Sequence, residues 1–252
     1  MIDFAPIALF GLLLVRPAML VTVSPVMGGA AASARVKVGL TVLLAIGLLP
    51  SVRAIQPAGD LALTIVIARE MAIGLALALV VRALVAGAEF AGHLAGHQIG
   101  FSYGATIDPI SGVRNTMIAS LYGMLTTLTF FAINGHHALL RALAASYVGL
   151  PIGIGHVDAS LPEAVRQTLA LVFVVGVRLA APVVIVLLVL EIAIGFISRA
   201  APALNFMVIG YAVRVILGLF VLATLIATVP GVTASMADAV TTLGLRTAAA
   251  FR

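Results

Sequence analysis

Long apolar runs separated by short polar breaks set the pattern of this chain. A membrane-crossing helix needs about 20 mostly apolar residues. About six stretches approach that length: 4–23, 36–49, 61–85, 116–133, 168–197 and 206–229. The first is interrupted by Arg16-Pro17, and the second is short and stops at Pro50. The third carries Arg69 and Glu70, the fifth Arg178, Pro182 and Glu191, and the sixth Arg214. The pattern predicts an all-α, multipass protein whose spans are poor ones for plain lipid.

Two features make them poor. The fifth run is about 30 residues, or about 45 Å as a helix, against a hydrocarbon core of about 30 Å. Each of Arg69, Glu70, Arg178, Glu191 and Arg214 would cost about 2.5 to 3.5 kcal/mol near the middle of a lone inserted helix. Such groups normally face protein or a wet cavity. Adjacent residues on a helix point about 100° apart, so Arg69 and Glu70 cannot satisfy each other side by side. The expectation is burial against other polypeptides.

Between the third and fourth runs the texture changes to "GHQIGFSYGATIDPISG", residues 96–112. Small residues recur every fourth position at Ala88, Gly92, Gly96, Gly100 and Gly104. On a helix that spacing makes one narrow stripe, which lets another backbone approach closely. The rhythm then fails. Pro109 turns Asp108 away from helical geometry, and Ser111-Gly112 extends the break, so 105–115 is expected to be a loop. At membrane depth such a loop is tolerated only where protein buries it or where it lines a water-filled cavity.

Composition sharpens this picture. Of the 252 residues, 63% are hydrophobic and 9% charged, with mean hydropathy +1.25. A soluble domain is about half apolar and about a quarter charged, so this chain is solvated by lipid or by other protein. The net charge is +5, but the basic residues are scattered singly and form no nucleic-acid patch. No cysteine is present, which excludes disulfides, thiolate metal sites and cysteine nucleophiles. The opening "MIDFAPIALFGLLLVRP" has no basic leader, so a cleaved signal peptide is not expected. Loop cations do not orient the spans: Arg35, Lys37, Arg114 and Arg199 oppose Arg53, Arg141, Arg166, Arg246 and Arg252.

Catalytic chemistry finds little support. His93 and His97 have the spacing of a zinc-binding helix, but position 94 is Leu, so the general base of H-E-x-x-H is missing. His136 and His137 follow Asn134-Gly135 and are expected to hydrogen-bond a chain reversal. Neither a phosphate-binding loop nor a nucleophile elbow is visible, and no cofactor is expected.

Five segments in order carry a resemblance: "RVKVGLTVLLAIGLLP" (35–50), "REMAIGLALALV" (69–80), "EFAGHLAGHQIGFSYGATIDP" (89–109), "FFAINGHHALLRALAASYVGLPIG" (130–153) and "ISRAAPALNFMVIGYAVRVILGL" (197–219). Together they resemble the flagellar FliR family of the type III protein export gate. The resemblance implies a non-enzymatic pore subunit in the bacterial inner membrane and flagellar basal body. It would assemble with P and Q gate subunits, and with the A and B export components, to conduct unfolded flagellar proteins. It also implies bent helical hairpins, with a P-subunit-like part at 1–165 and a Q-subunit-like hairpin with a short tail at 166–252.

Carried onto this sequence, the plug of the pore falls on residues 101–115, with Phe101, Ser102, Tyr103, Gly104, Thr106, Asp108, Pro109 and Gly112. Ala88, Gly92, Gly96 and Gly100 would serve helix packing. Gln98 and Asn205 would join Arg69, Glu70, Arg178, Glu191 and Arg214 as polar groups buried on assembly. Two other readings stand beside this one. One is the homologous gate subunit of a virulence injectisome. The other is a secondary transporter coupled through Arg69, Glu70, Arg178 and Glu191, which calls for two similar halves that this sequence does not display.

Overall fold

The computed structural model describes residues 5–29, 32–52, 63–101, 117–152, 161–200 and 206–236, together with Thr242 and Arg246. Among these the chain is helix and turn, without a strand. The helices are α1 (Ala5–Val23), α2 (Ala34–Leu48), α3 (Leu63–Ile99), α4 (Met117–Ala132), α5 (Gly135–Gly149), α6 (Leu161–Ala200) and α7 (Phe206–Leu225). Short 3₁₀ turns follow α2 at Leu49–Ser51 and α7 at Ile226–Thr228, and the latter leads into further helix at 229–236.

The all-α expectation holds, but the count of spans does not. Among the described residues, three helices are long and apolar enough to cross a membrane, or up to four if the bent pair α4–α5 is one broken span. The reasons are local. α2 has 15 residues, too few to cross about 30 Å of hydrocarbon. α1 has Pro17 inside it and the fully buried Arg16 beside that proline, so it is solvated by protein at that point. The third run, by contrast, does not end at 85. α3 continues to Ile99 as a helix of 37 residues. Its glycines lower helix propensity by about 1 kcal/mol each relative to Ala, but Ala88, Ala91, Ala95 and Ile99 are fully buried there, and packing outweighs propensity.

The chain divides into two compact units, and both are discontinuous in sequence. The first comprises Met1–Ala83, Phe130–Ala170 and Ser235–Arg252. Its core includes Leu13, Leu20, Ile73, Leu77, Leu143 and Ile152. α1 and α2 pack together in it, with Val36, Val38, Leu43 and Ile46 of α2 left exposed. α5 starts at Asn134, the one described non-glycine residue with positive φ (59°). His136 and His137 therefore lie in the first turn of α5 and do not form a chain reversal. The backbone N–H of His137 donates to the Asn134 carbonyl at 3.0 Å.

The second unit comprises Leu84–Thr129 and Leu171–Ala234. The C-terminal part of α3 is its centre, and α4, α6 and α7 approach it at glycines. A Cβ on Gly92 would lie 2.4 Å from Ala119 Cα in α4. One on Gly87 would lie 2.8 Å from Val175 Cβ in α6, and one on Gly218 would lie 2.6 Å from Ile99 Cγ1. Phe90 and Phe173 meet edge to face at 5.8 Å.

Candidate functional site

The densest polar cluster in the first unit is built around Arg16. Its guanidinium is fully buried and forms a fork with the buried carboxylate of Glu70, through Nε to Oε2 and through Nη2 to Oε1 (3.1 Å). Nη1 donates to Ser146 Oγ at 3.0 Å, and Nη2 also donates to the Leu150 carbonyl at 2.7 Å. Leu150 is the residue at which α5 ends, so the cation also sits where the helix dipole is negative. Tyr147 lies under the guanidinium, 4.4 Å from ring centroid to Cζ. A buried ion pair is tolerated only when its other polar groups find partners, and here every guanidinium nitrogen has one.

Two backbone features make this corner possible. Gly74 is one turn beyond Glu70 on the same face of α3. A Cβ at Gly74 would lie 2.6 Å from the Arg16 carbonyl oxygen and 2.9 Å from Arg16 Cα. The missing side chain lets the α1 backbone lie against α3 at the point where Glu70 receives the guanidinium. The second feature is Pro17. It has no N–H to give to the carbonyl four residues earlier, which is that of Leu13. The Tyr147 hydroxyl donates to that carbonyl at 2.9 Å. Arg16-Pro17, which reads in sequence as a mere interruption, thus ties α1, α3 and α5 together.

In the second unit, α3 ends in a Schellman cap. Gly100 has φ 109°, its N–H donates to the His97 carbonyl at 3.1 Å, and the Phe101 N–H donates to the Gly96 carbonyl at 2.9 Å. Phe101, the first residue of the segment expected to form a plug, leaves this cap with its side chain exposed. A second ion pair joins α6 and α7, Arg214 Nη2 to Glu191 Oε1 at 2.9 Å, while Arg214 Nε has no partner among the described residues. Arg178 of α6 is exposed. Among the described residues, no cluster of three or more His, Asp or Glu could hold a metal ion.

These observations describe an apolar helical protein whose few ionic groups are placed with care, and comparison with known proteins gives it a family. Residues 7–240 match the bacterial export proteins, family 1. The chain belongs to the FliR family of bacterial export proteins. The flagellar biosynthetic protein FliR of Escherichia coli is 30% identical over 218 residues, covering 84% of this chain and 82% of its own length. FliR of Pectobacterium carotovorum is 29% identical over 217 residues, or 86% of this chain and 83% of its own. FliR of Caulobacter vibrioides is 29% identical over 217 residues, or 84% of this chain and 86% of its own.

Within this FliR-family chain the residues singled out in sequence separate into groups. Ser102, Tyr103, Gly104, Thr106, Asp108, Pro109, Gly112 and Asn205 lie outside the described residues. Ala88, Gly92 and Gly96 are buried along α3, and the backbone that Gly92 admits is that of Ala119 in the same chain. Gln98 is half-buried. Arg69 and Glu70 diverge, as adjacent helical residues must: Glu70 is fully buried and Arg69 only partly.

The expectation that these charges require other polypeptides is corrected at two places. Glu70 pairs with Arg16, and Glu191 with Arg214, both within the chain. Sequence reading missed Arg16, Gly74, Ser146 and Tyr147 as members of one cluster. The available signal was Glu70 with Gly74 four residues on, which marks an acidic group beside a site of close backbone approach.

Proposed function

We propose that this FliR-family chain is a non-enzymatic subunit of the flagellar export apparatus in the bacterial inner membrane. It assembles with P and Q gate subunits, works with the A and B components, and helps form the conduit for unfolded flagellar proteins. The division into a P-like part at 1–165 and a Q-like hairpin at 166–252 belongs to the same reading, as does a plug at 101–115.

One observation carries it. The most apolar window of Leu63–Ile99 is 67% buried within the chain, but that of Pro162–Ala200 is 33% buried and that of Ile209–Met236 is 17% buried. Those helices keep Phe173, Val177, Ile185, Phe196, Ile216 and Phe220 exposed. α6, at 40 residues, is about 60 Å long, twice the hydrocarbon thickness. Lipid can cover only about half of such a helix, so the rest is covered by other subunits.

The test is made in native membranes. Pull-down of the full chain is expected to recover the P and Q subunits, and shortening the 101–115 segment is expected to leave that recovery intact while making the membrane leak small ions. Recovery of the chain alone overturns the assembly. An unchanged ion barrier overturns the plug.

A further inference from the structure

Arg178 is exposed partway along α6. Among the described residues it pairs with no carboxylate: Glu70 holds Arg16, Glu163 holds Arg166, Glu191 holds Arg214, and Glu89 lies against Gly123 of α4. Pro182, also exposed, follows one turn later on the same face. A proline has no N–H for the carbonyl four residues earlier, and here that carbonyl is Arg178's own. A guanidinium and a backbone acceptor stripped of its helical donor therefore lie together on one apolar strip, flanked by the exposed side chains of Val174, Val177 and Ile185. Arg82 of α3 is also exposed, but Ala86 stands four residues on, so its carbonyl keeps a possible helical donor.

A bilayer alone does not cover this helix. Any slab of about 30 Å that keeps Arg178 out of hydrocarbon leaves exposed apolar side chains on one side of it, either Val165 to Val177 or Ile185 to Phe196, in water. A slab centred on Arg178 puts the cation and the freed carbonyl in hydrocarbon, where both are costly. A slab over about 20 residues beginning just after Arg178 puts the cation at its edge. It then leaves the exposed Val165, Leu169, Phe173, Val174 and Val177 in water. A protein cover removes both problems. The chain also contains its own example of the chemistry needed: Glu70 satisfies the Arg16 guanidinium, and the Tyr147 hydroxyl satisfies the carbonyl freed by Pro17.

We propose that the Val174–Arg178–Pro182–Ile185 face of α6 receives a helix of another polypeptide. That helix carries a carboxylate set among apolar side chains, and a neighbouring hydroxyl or amide donor reaches the Arg178 carbonyl. The carboxylate forks onto the guanidinium in a site that water leaves on docking. This rests on the assembly reading above and names the chemistry by which one of its partners is recognised.

The experiment places a benzoylphenylalanine photo-crosslinker at Val174 or at Ile185 in the full chain, in native membranes. The expected product is a protein adduct whose cross-linked peptide contains Asp or Glu. Arg178→Glu is expected to lower the adduct yield by at least about tenfold. Arg178→Lys, which keeps the charge and loses the fork, lowers it less, and the protease resistance of that variant checks that the chain still folds. Changing the partner's acidic residue to Arg should restore cross-linking to Arg178→Glu. Adducts to lipid alone, an unchanged yield in Arg178→Glu, or a loss that the charge swap does not rescue overturns the proposal. If no other export protein is recovered with the wild-type chain, the assembly reading fails. If those proteins are recovered and the Arg178 variants cross-link as before, only this inference fails.

Discussion

The first and second units each hold an arginine beside a proline within an apolar helix, and the two sites are finished in opposite ways. At Arg16-Pro17 the cation has a carboxylate, a hydroxyl and a helix-terminal carbonyl, and the acceptor freed by the proline has a tyrosine hydroxyl. At Arg178 and Pro182 the guanidinium is exposed with no carboxylate partner among the described residues, and the carbonyl that Pro182 frees has no proline N–H to accept from. The physical requirement is identical, because a charge or a bare carbonyl in apolar surroundings must be satisfied somewhere. What differs is the molecule that satisfies it. The Arg16 site is completed within one chain, and the α6 face is built to be completed by another.

The largest expected effect breaks the complete site. Glu70→Ala leaves the Arg16 guanidinium buried without its counter-charge, and removing one partner of a buried pair costs about 3 to 5 kcal/mol. Most of the chain's resistance to protease and heat in detergent should be lost. The double change Arg16→Met with Glu70→Leu should recover most of it, because an apolar replacement of both partners is often neutral or better. A Glu70→Ala variant as stable as the wild type would mean that the Arg16 corner is not a keystone, and the contrast with Arg178 would lose its basis.

A middle-sized effect separates internal packing from the outward face. Gly92→Ala puts a Cβ 2.4 Å from Ala119 Cα and 2.7 Å from Ala119 N, atoms of a neighbouring backbone that cannot rotate aside. The helices must part, at about 1 to 3 kcal/mol. Gly39→Ala, in the exposed middle of α2 with nothing within 4 Å, should instead gain about 0.5 to 1 kcal/mol. Thermal midpoints of the two variants should fall on opposite sides of the wild type. If both rise, α3 and α4 are not in backbone contact at that position.

The helical class, the long apolar segments and the charges inside them were legible from the residues, because composition and run length depend on nothing but the residues themselves. The pairing of those charges was not. Arg16 and Glu70 are 54 residues apart in sequence, and nothing in the local pattern of either says which other helix it meets. The helix that carries the small-residue stripe was legible, but its continuity with the third run as one helix to Ile99 was not: glycine spacing lowers helix propensity locally, and only the side chains packed around Ala88, Ala91 and Ala95 show why the helix persists. α5, with Arg141 and two histidines among its 15 residues, is too short and too polar to read as a span, although its length is ordinary for a helix. Gly100 was read as one more step of a packing stripe, and its positive φ as the helix cap appears only in three dimensions.

The smallest expected effect tests the proline half of the comparison. Tyr147→Phe removes the hydroxyl that caps the Leu13 carbonyl while keeping the ring under Arg16, so the loss should be about 1 to 2 kcal/mol, the cost of leaving a buried acceptor unpaired. Pro17→Ala gives position 17 an N–H, which can bond to the Leu13 carbonyl within the helix. If the hydroxyl matters because of the proline, Tyr147→Phe should cost markedly less in the Pro17→Ala background than in the wild type. A double-mutant cycle on detergent stability reads that difference as a coupling energy. Zero coupling would mean that Tyr147 contributes through its ring alone. In that case a freed carbonyl needs no dedicated donor in this protein, and at Arg178 and Pro182 only the guanidinium would call for a partner from outside.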